Sequence, residues 1–195
     1  MVYTHKFGKI EALIRSRYEV FNLKDLSVYW GENESKTREA ARYYCNTGKL
    51  FRLKNGLYSL YRVPSDFEIA QKLSRPSYIT YHTALFAHSI NFQLYAQIIH
   101  SAANRKKSYI VGDTNFIYHQ FKESILFNPI GIDSIGKTYA MASAERAICD
   151  SLYLNPDIAF DRLDKIDTDK LVEISQIYGQ KSLYKNLKLY FPKIF

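Results

Sequence analysis

Residues 50–62, LFRLKNGLYSLYR, constrain the fold more than any other stretch. Two short segments, Leu50–Lys54 and Leu57–Arg62, alternate imperfectly between apolar and cationic side chains on either side of Asn55-Gly56. Asn and Gly both tolerate positive φ, so this dipeptide between two such segments specifies a tight two-residue hairpin. Its leucines and tyrosines need a surface to lie on. Arg52, Lys54 and Asn55 belong to its strand end and tip, where no apolar surface is required.

The preceding residues supply that surface. Phe7, Ile10, Leu13 and Ile14 recur at helical spacing within 5–17. Phe21, Leu23 and Leu26 open a second segment, with Asn22 placed to cap a helix over 23–30. Residues 31–35, GENES, are turn chemistry, and Ser35 or Thr37 is expected to cap a third helix running to about Thr47, stopped by Gly48. On that helix Thr37, Ala40, Ala41 and Tyr44 share one side, while Lys36, Arg38, Arg42 and Asn46 lie on or near the other. Three helices followed by a basic hairpin is the element order of a winged helix-turn-helix. That arrangement lays the third helix in the major groove of duplex DNA and brings the hairpin to the phosphate backbone. Lys36, Arg38, Arg42, Arg52, Lys54 and Asn55 are therefore the expected DNA-binding residues.

Charge follows the same division. The net charge is +8, and residues 1–64 hold 12 Lys/Arg against 6 Asp/Glu, whereas 65–195 hold 15 against 13. A local positive field of this kind suits a polyanionic partner, and a solvated basic face is the plain alternative. With 47% hydrophobic and 24% charged residues the chain is globular rather than disordered. No run of about 18 apolar residues is present, so no membrane span is expected. MVYTHKFGKIEALIR has no apolar core of a secretory signal, and Cys45 and Cys149 read as reduced thiols, so a cytoplasmic location is expected.

Val63-Pro64-Ser65 breaks the pattern, giving two domains, 1–64 and 65–195, in an α+β protein. In the second, 66–74 reads as a short helix ended by Arg75-Pro76, and 77–90 as another with Ser77 or Thr80 near its start. Residues 96–103, 108–111, 115–121 and 125–132 form a β-rich stretch punctuated by Gly112-Asp113 and Gly131. Residues 141–154 turn helical again, and the tail from Pro156 reads as short amphipathic helices.

Three stretches, GKLFRLKNGLYSL (48–60), PSYITYHTALFAHSI (76–90) and ASAERAICDSLYL (142–154), resemble the AbiEi family of antitoxins in order, spacing and content. The resemblance spans about residues 5–165, with Tyr44 where a leucine is usual and no matching motif in the tail. It implies a winged-helix domain that represses its own operon by binding promoter DNA. It further implies a C-terminal domain that neutralises a cognate nucleotidyltransferase-like toxin, in a type IV toxin–antitoxin or abortive-infection system of phage defence. No GxGxxG, P-loop or GxSxG motif is present, so neither enzyme activity nor a cofactor is expected. Direct contact with the toxin stays open. A stand-alone winged-helix regulator with no toxin partner is the alternative.

Other constellations are less demanding. Ser143, Glu145, Arg146, Cys149 and Asp150 combine a nucleophile, carboxylates and a guanidinium. Their spacing reads more simply as a capped helix with an Arg146–Asp150 pair at i, i+4, and Cys149 lacks a sequence-local base. His5, His82, His88, His100 and His119 show no metal-ligand spacing, so neither a metal nor a catalytic residue is assigned. Arg105-Lys106-Lys107 reads as a solvated basic loop, a second phosphate contact or a contact for an acidic partner.

Overall fold

The computed structural model describes residues 8–93, 95–134, 136 and 138–195, so His5 and Phe7 of the first expected helix lie outside the described residues. The protein is α+β, and the chain divides into two compact units, Met1–Leu73 and Ser74–Phe195.

In the first unit, α1 (Lys9–Arg15) is followed by β1 (Val20–Asn22), α2 (Leu23–Trp30), α3 (Glu34–Asn46), β2 (Phe51–Lys54), β3 (Leu57–Ser59) and α4 (Asp66–Leu73). Asn22 caps α2 as its sequence indicates: its side chain accepts from the Asp25 N–H, and the Asp25 carboxylate accepts in turn from the Asn22 N–H. The cap of α3 is Asn33 rather than Ser35 or Thr37. Its side-chain carbonyl accepts from the Lys36 N–H at 3.0 Å. Thr37 instead turns inward, its hydroxyl donating to the Asn33 carbonyl and receiving the hydroxyl of Ser27 on α2. The three strands make one antiparallel sheet in the order β1-β3-β2. Strand β1 is not legible as a strand in the sequence, because its three residues run straight into the cap of α2.

Leu13, Phe21, Leu26, Trp30, Ala41, Leu50 and Tyr58 are buried together, and Ile10, Tyr44 and Leu60 close over them. Each fully buried large side chain in such a cluster contributes about 1.5–3 kcal/mol. The unit ends at Leu73, not at Pro64. Helix α4 belongs to it because the buried Glu68 carboxylate accepts the N–H groups of Glu19 and Val20, both at 2.8 Å, where strand β1 begins. Lys72 adds a 2.8 Å ion pair with Asp25.

The second unit contains β4 (Ser77–Ile79), α5 (Tyr81–Ala87), β5 (Ile98–Ala103), β6 (Lys107–Val111), β7 (Thr114–Gln120), α6 (Glu123–Leu126), β8 (Ile132–Asp133), β9 (Met141–Ala142), α7 (Ala144–Leu154), α8 (Thr168–Gln176) and α9 (Lys181–Tyr190). Its sheet runs β6-β7-β5-β4-β9-β8, with β5–β7 and β4–β9 parallel and the remaining pairs antiparallel. Two expectations change. Residues 77–79 form a strand before the helix over 81–87, because Tyr78 and Ile79 are buried in the sheet between β5 and β9. Much of 125–132 is not strand: Ile125 and Leu126 belong to α6, and the chain then turns at Gly131. Gly131 has φ +76°, and a Cβ there would come within 2.9 Å of the Arg146 Cβ and 2.7 Å of Ile174 Cδ1. Only glycine fits that approach to α7 and α8. Helix α7, capped by the Ser143 hydroxyl, packs against α5, α8 and α9 at the centre of the unit.

Candidate nucleic-acid interface

Helix α3 buries Thr37 and Ala41 and leaves Lys36, Arg38, Glu39, Arg42, Tyr43 and Asn46 exposed. Small residues on the inner face let the helix lie close to the core beside Tyr44, and its charged side chains stay outside. Past Gly48 the chain reverses, Lys49 and Leu50 donate their N–H groups to the Tyr44 carbonyl, and the hairpin is delivered beside the helix. Between them lies a groove of about 450 Å³ lined by Arg38, Glu39, Arg42, Cys45, Asn46, Arg52, Asn55 and Tyr58.

Four of the six expected residues, Arg38, Arg42, Arg52 and Asn55, therefore converge on one groove. The other two do not line it. Lys36 is exposed nearer the start of α3, and Lys54 is half-buried at the register irregularity between β2 and β3. A bulge of that kind locally twists a strand and re-aims its side chains.

The cations in the groove are not equivalent. Arg38 is held by Glu34 one turn earlier, its Nε donating at 3.1 Å. Arg52 Nη2 donates to Asn55 Oδ1 at 3.0 Å, which fixes both side chains across the hairpin turn. Arg42 has no side-chain hydrogen bond or ion pair among the described residues. Four lining residues, Glu39, Cys45, Asn46 and Tyr58, are not among the DNA-binding residues expected from the sequence. Glu39 puts a carboxylate among the arginines. Cys45 and Tyr58 sit toward the interior, and burial raises the Cys45 thiol pKa against the opposing field of Arg52. That thiol is not an activated nucleophile.

In the second unit, the Ser143–Asp150 segment forms a sealed network. Arg146 and Asp150 pair at 3.5 Å with both side chains fully buried. Arg146 donates to the carbonyls of Ile130 and Ile125 and to the Tyr78 hydroxyl, while Asp150 accepts from Tyr78, Thr80 and Tyr178. Burial raises the Cys149 pKa, and the thiol is completely enclosed. His82, His100 and His119, far apart in sequence, meet around Tyr81, with His100 Nδ1 2.9 Å from His119 Nε2. Among the described residues no group of three or more His, Cys, Asp or Glu is arranged to hold a metal ion. Nor is any helix among them long and apolar enough to cross a membrane. No protein-family model matches the chain, and no curated protein matches it.

Proposed function

We propose that this chain is a duplex-DNA-binding autorepressor and the antitoxin of a type IV toxin–antitoxin system, acting against a nucleotidyltransferase-like toxin and carrying no catalytic centre. In this reading the first unit is a winged helix-turn-helix, with α3 as the recognition helix and β2–β3 as the wing. The observation that carries the DNA-binding half is the groove between α3 and the hairpin, where Arg38, Arg42 and Arg52 gather beside Asn55. Guanidinium groups and an amide so placed suit phosphates flanking a base-reading helix. The antitoxin half rests on the AbiEi resemblance of residues 76–90 and 142–154.

Gel-shift affinities across salt test the first half. Replacing Arg38, Arg42, Arg52 and Lys54 together by Ala should weaken binding to every duplex. The salt slope should flatten by about one unit for each phosphate no longer neutralised. Growth of cells expressing an adjacent nucleotidyltransferase-like toxin tests the second. The full chain should rescue growth, and the quadruple variant should still rescue it while losing repression. Unchanged DNA affinity overturns the assignment of the groove. Absence of rescue by the soluble full chain overturns the antitoxin role.

A further inference from the structure

Resting on the DNA-binding reading, the groove carries a second distinction, between cations already satisfied and side chains that have nothing to bind. Arg38 is paired with Glu34, and Arg52 with Asn55. Glu39, Arg42 and Asn46 are exposed, line the groove, and have no side-chain partner among the described residues. They stand at i, i+3 and i+7 of α3, so they form one stripe along the helix. At about 1.5 Å rise per residue the stripe is roughly 10 Å long, the height of about three stacked base pairs.

Glu39 is the informative member. A carboxylate placed among phosphate-binding arginines repels the DNA backbone and weakens binding unless it meets a hydrogen-bond donor. In the major groove the donor that a carboxylate pairs with is the cytosine N4 amino group. Arg42, one turn further along, has the fork that matches guanine O6 and N7, and Asn46 has the amide that matches adenine N6 and N7. We infer that Glu39, Arg42 and Asn46 are the base-reading side chains of α3, and that the duplex this protein selects presents a cytosine amino group within about three base pairs of a guanine. The paired Arg38 and Arg52 then hold the phosphates on either side.

Selection from a randomised duplex pool by the purified full chain tests this. The wild type should enrich a motif with cytosine and guanine inside about three base pairs. Glu39→Gln, which keeps size and removes charge, should replace that cytosine by adenine, changing the preference by about tenfold or more. Arg42→Lys should weaken the guanine preference while the salt slope stays unchanged, since the charge remains but the rigid fork is gone. Both positions are exposed, and thermal melts of the variants establish that the fold is kept. If Glu39→Gln binds all duplexes more tightly with its motif unchanged, the carboxylate is a general repeller and this inference is overturned while DNA binding stands. If the wild type binds no duplex at low salt, the DNA-binding reading fails and the inference with it.

Discussion

Helices α3 and α7 each carry an arginine and a carboxylate one turn apart, and the two pairs behave oppositely. Glu34 and Arg38 are 66% and 62% exposed, whereas Arg146 and Asp150 are both 0% exposed. In sequence the two pairs share one spacing. On α3 water screens the pair, and it adds little to stability. The arginine there can exchange its partner for another anion. On α7 water is excluded. Arg146 binds two backbone carbonyls and a tyrosine besides Asp150, and Asp150 is satisfied by three hydroxyls. Burial raises the Asp150 pKa, with Arg146 and the hydroxyls of Tyr178, Thr80 and Tyr78 opposing it. The first pair lies on a surface where an external partner can reach it, and the second in an interior that has no opening for one.

Breaking the buried pair gives the largest effect. Arg146→Ala leaves a buried carboxylate facing three hydroxyls, removes the guanidinium donor of the Ile130 carbonyl and leaves the Ile125 carbonyl with the Asn128 N–H. The expected loss is about 3–5 kcal/mol, a large part of the stability of an ordinary domain. Urea denaturation followed by circular dichroism measures it. Asp150→Ala should be of similar size, and the double variant should lose much less than the sum, because the residues act as one network. Additive losses would show that the two residues stabilise the fold independently.

Acid provides a graded effect within the second unit. His100 is held neutral to about pH 3 and His119 to about pH 4, burial being the main cause for each. His119 and His82 add positive charge against His100, and Lys106 and His82 against His119. The unfolded chain takes up protons near the ordinary histidine value of about 6.5. Below that pH the unfolded state binds more protons than the folded one, so stability falls as pH drops. The stability contribution is thus complete above about pH 6.5 and is lost progressively toward pH 4 and 3. Replacing His100 and His119 by Gln should flatten the acid limb of a melting-temperature curve between those limits. An acid limb of unchanged steepness would assign it to carboxylates elsewhere.

The histidine cluster also marks where sequence reading ends. Local signals are legible: the Asn22 cap, the stop at Gly48, the Asn55-Gly56 turn and the Ser143 cap all act within a few residues of themselves. His82, His100 and His119 come from three separate elements, and only the parallel pairing of β5 with β7 beside α5 brings them together. Strand β1 is only three residues long, and its partner β3 lies more than thirty positions away. Glu68 looks like an ordinary surface carboxylate on an amphipathic helix, yet it is buried on the N–H groups of Glu19 and Val20 and moves the unit boundary past Pro64. At the candidate interface the cationic residue types are readable from the face of α3 and the hairpin. Which of them already have partners is not, because that depends on rotamers and on Glu34, Glu39 and Asn55.

The smallest structural effect is expected on the exposed pair, where the functional effect should be clear. Glu34 sits in the first turn of α3, beside the Asn33 cap, and its carboxylate engages Arg38. Glu34→Ala removes a favourable charge at a helix N-terminus and a solvent-screened ion pair, both small terms at ordinary ionic strength. The melting temperature should therefore hardly change, in contrast to Asp150→Ala in the buried pair of α7. The same substitution removes a negative charge from the proposed DNA-binding face and releases the Arg38 guanidinium toward the groove. Duplex affinity should rise because one negative charge leaves that face, while the salt slope should hardly change, since Arg38 already neutralises its phosphate. Gel shifts at several salt concentrations read both quantities. A shallower slope would mean that Glu34 holds Arg38 in its DNA-binding rotamer, making the exposed pair a positioning device like the buried one rather than its opposite.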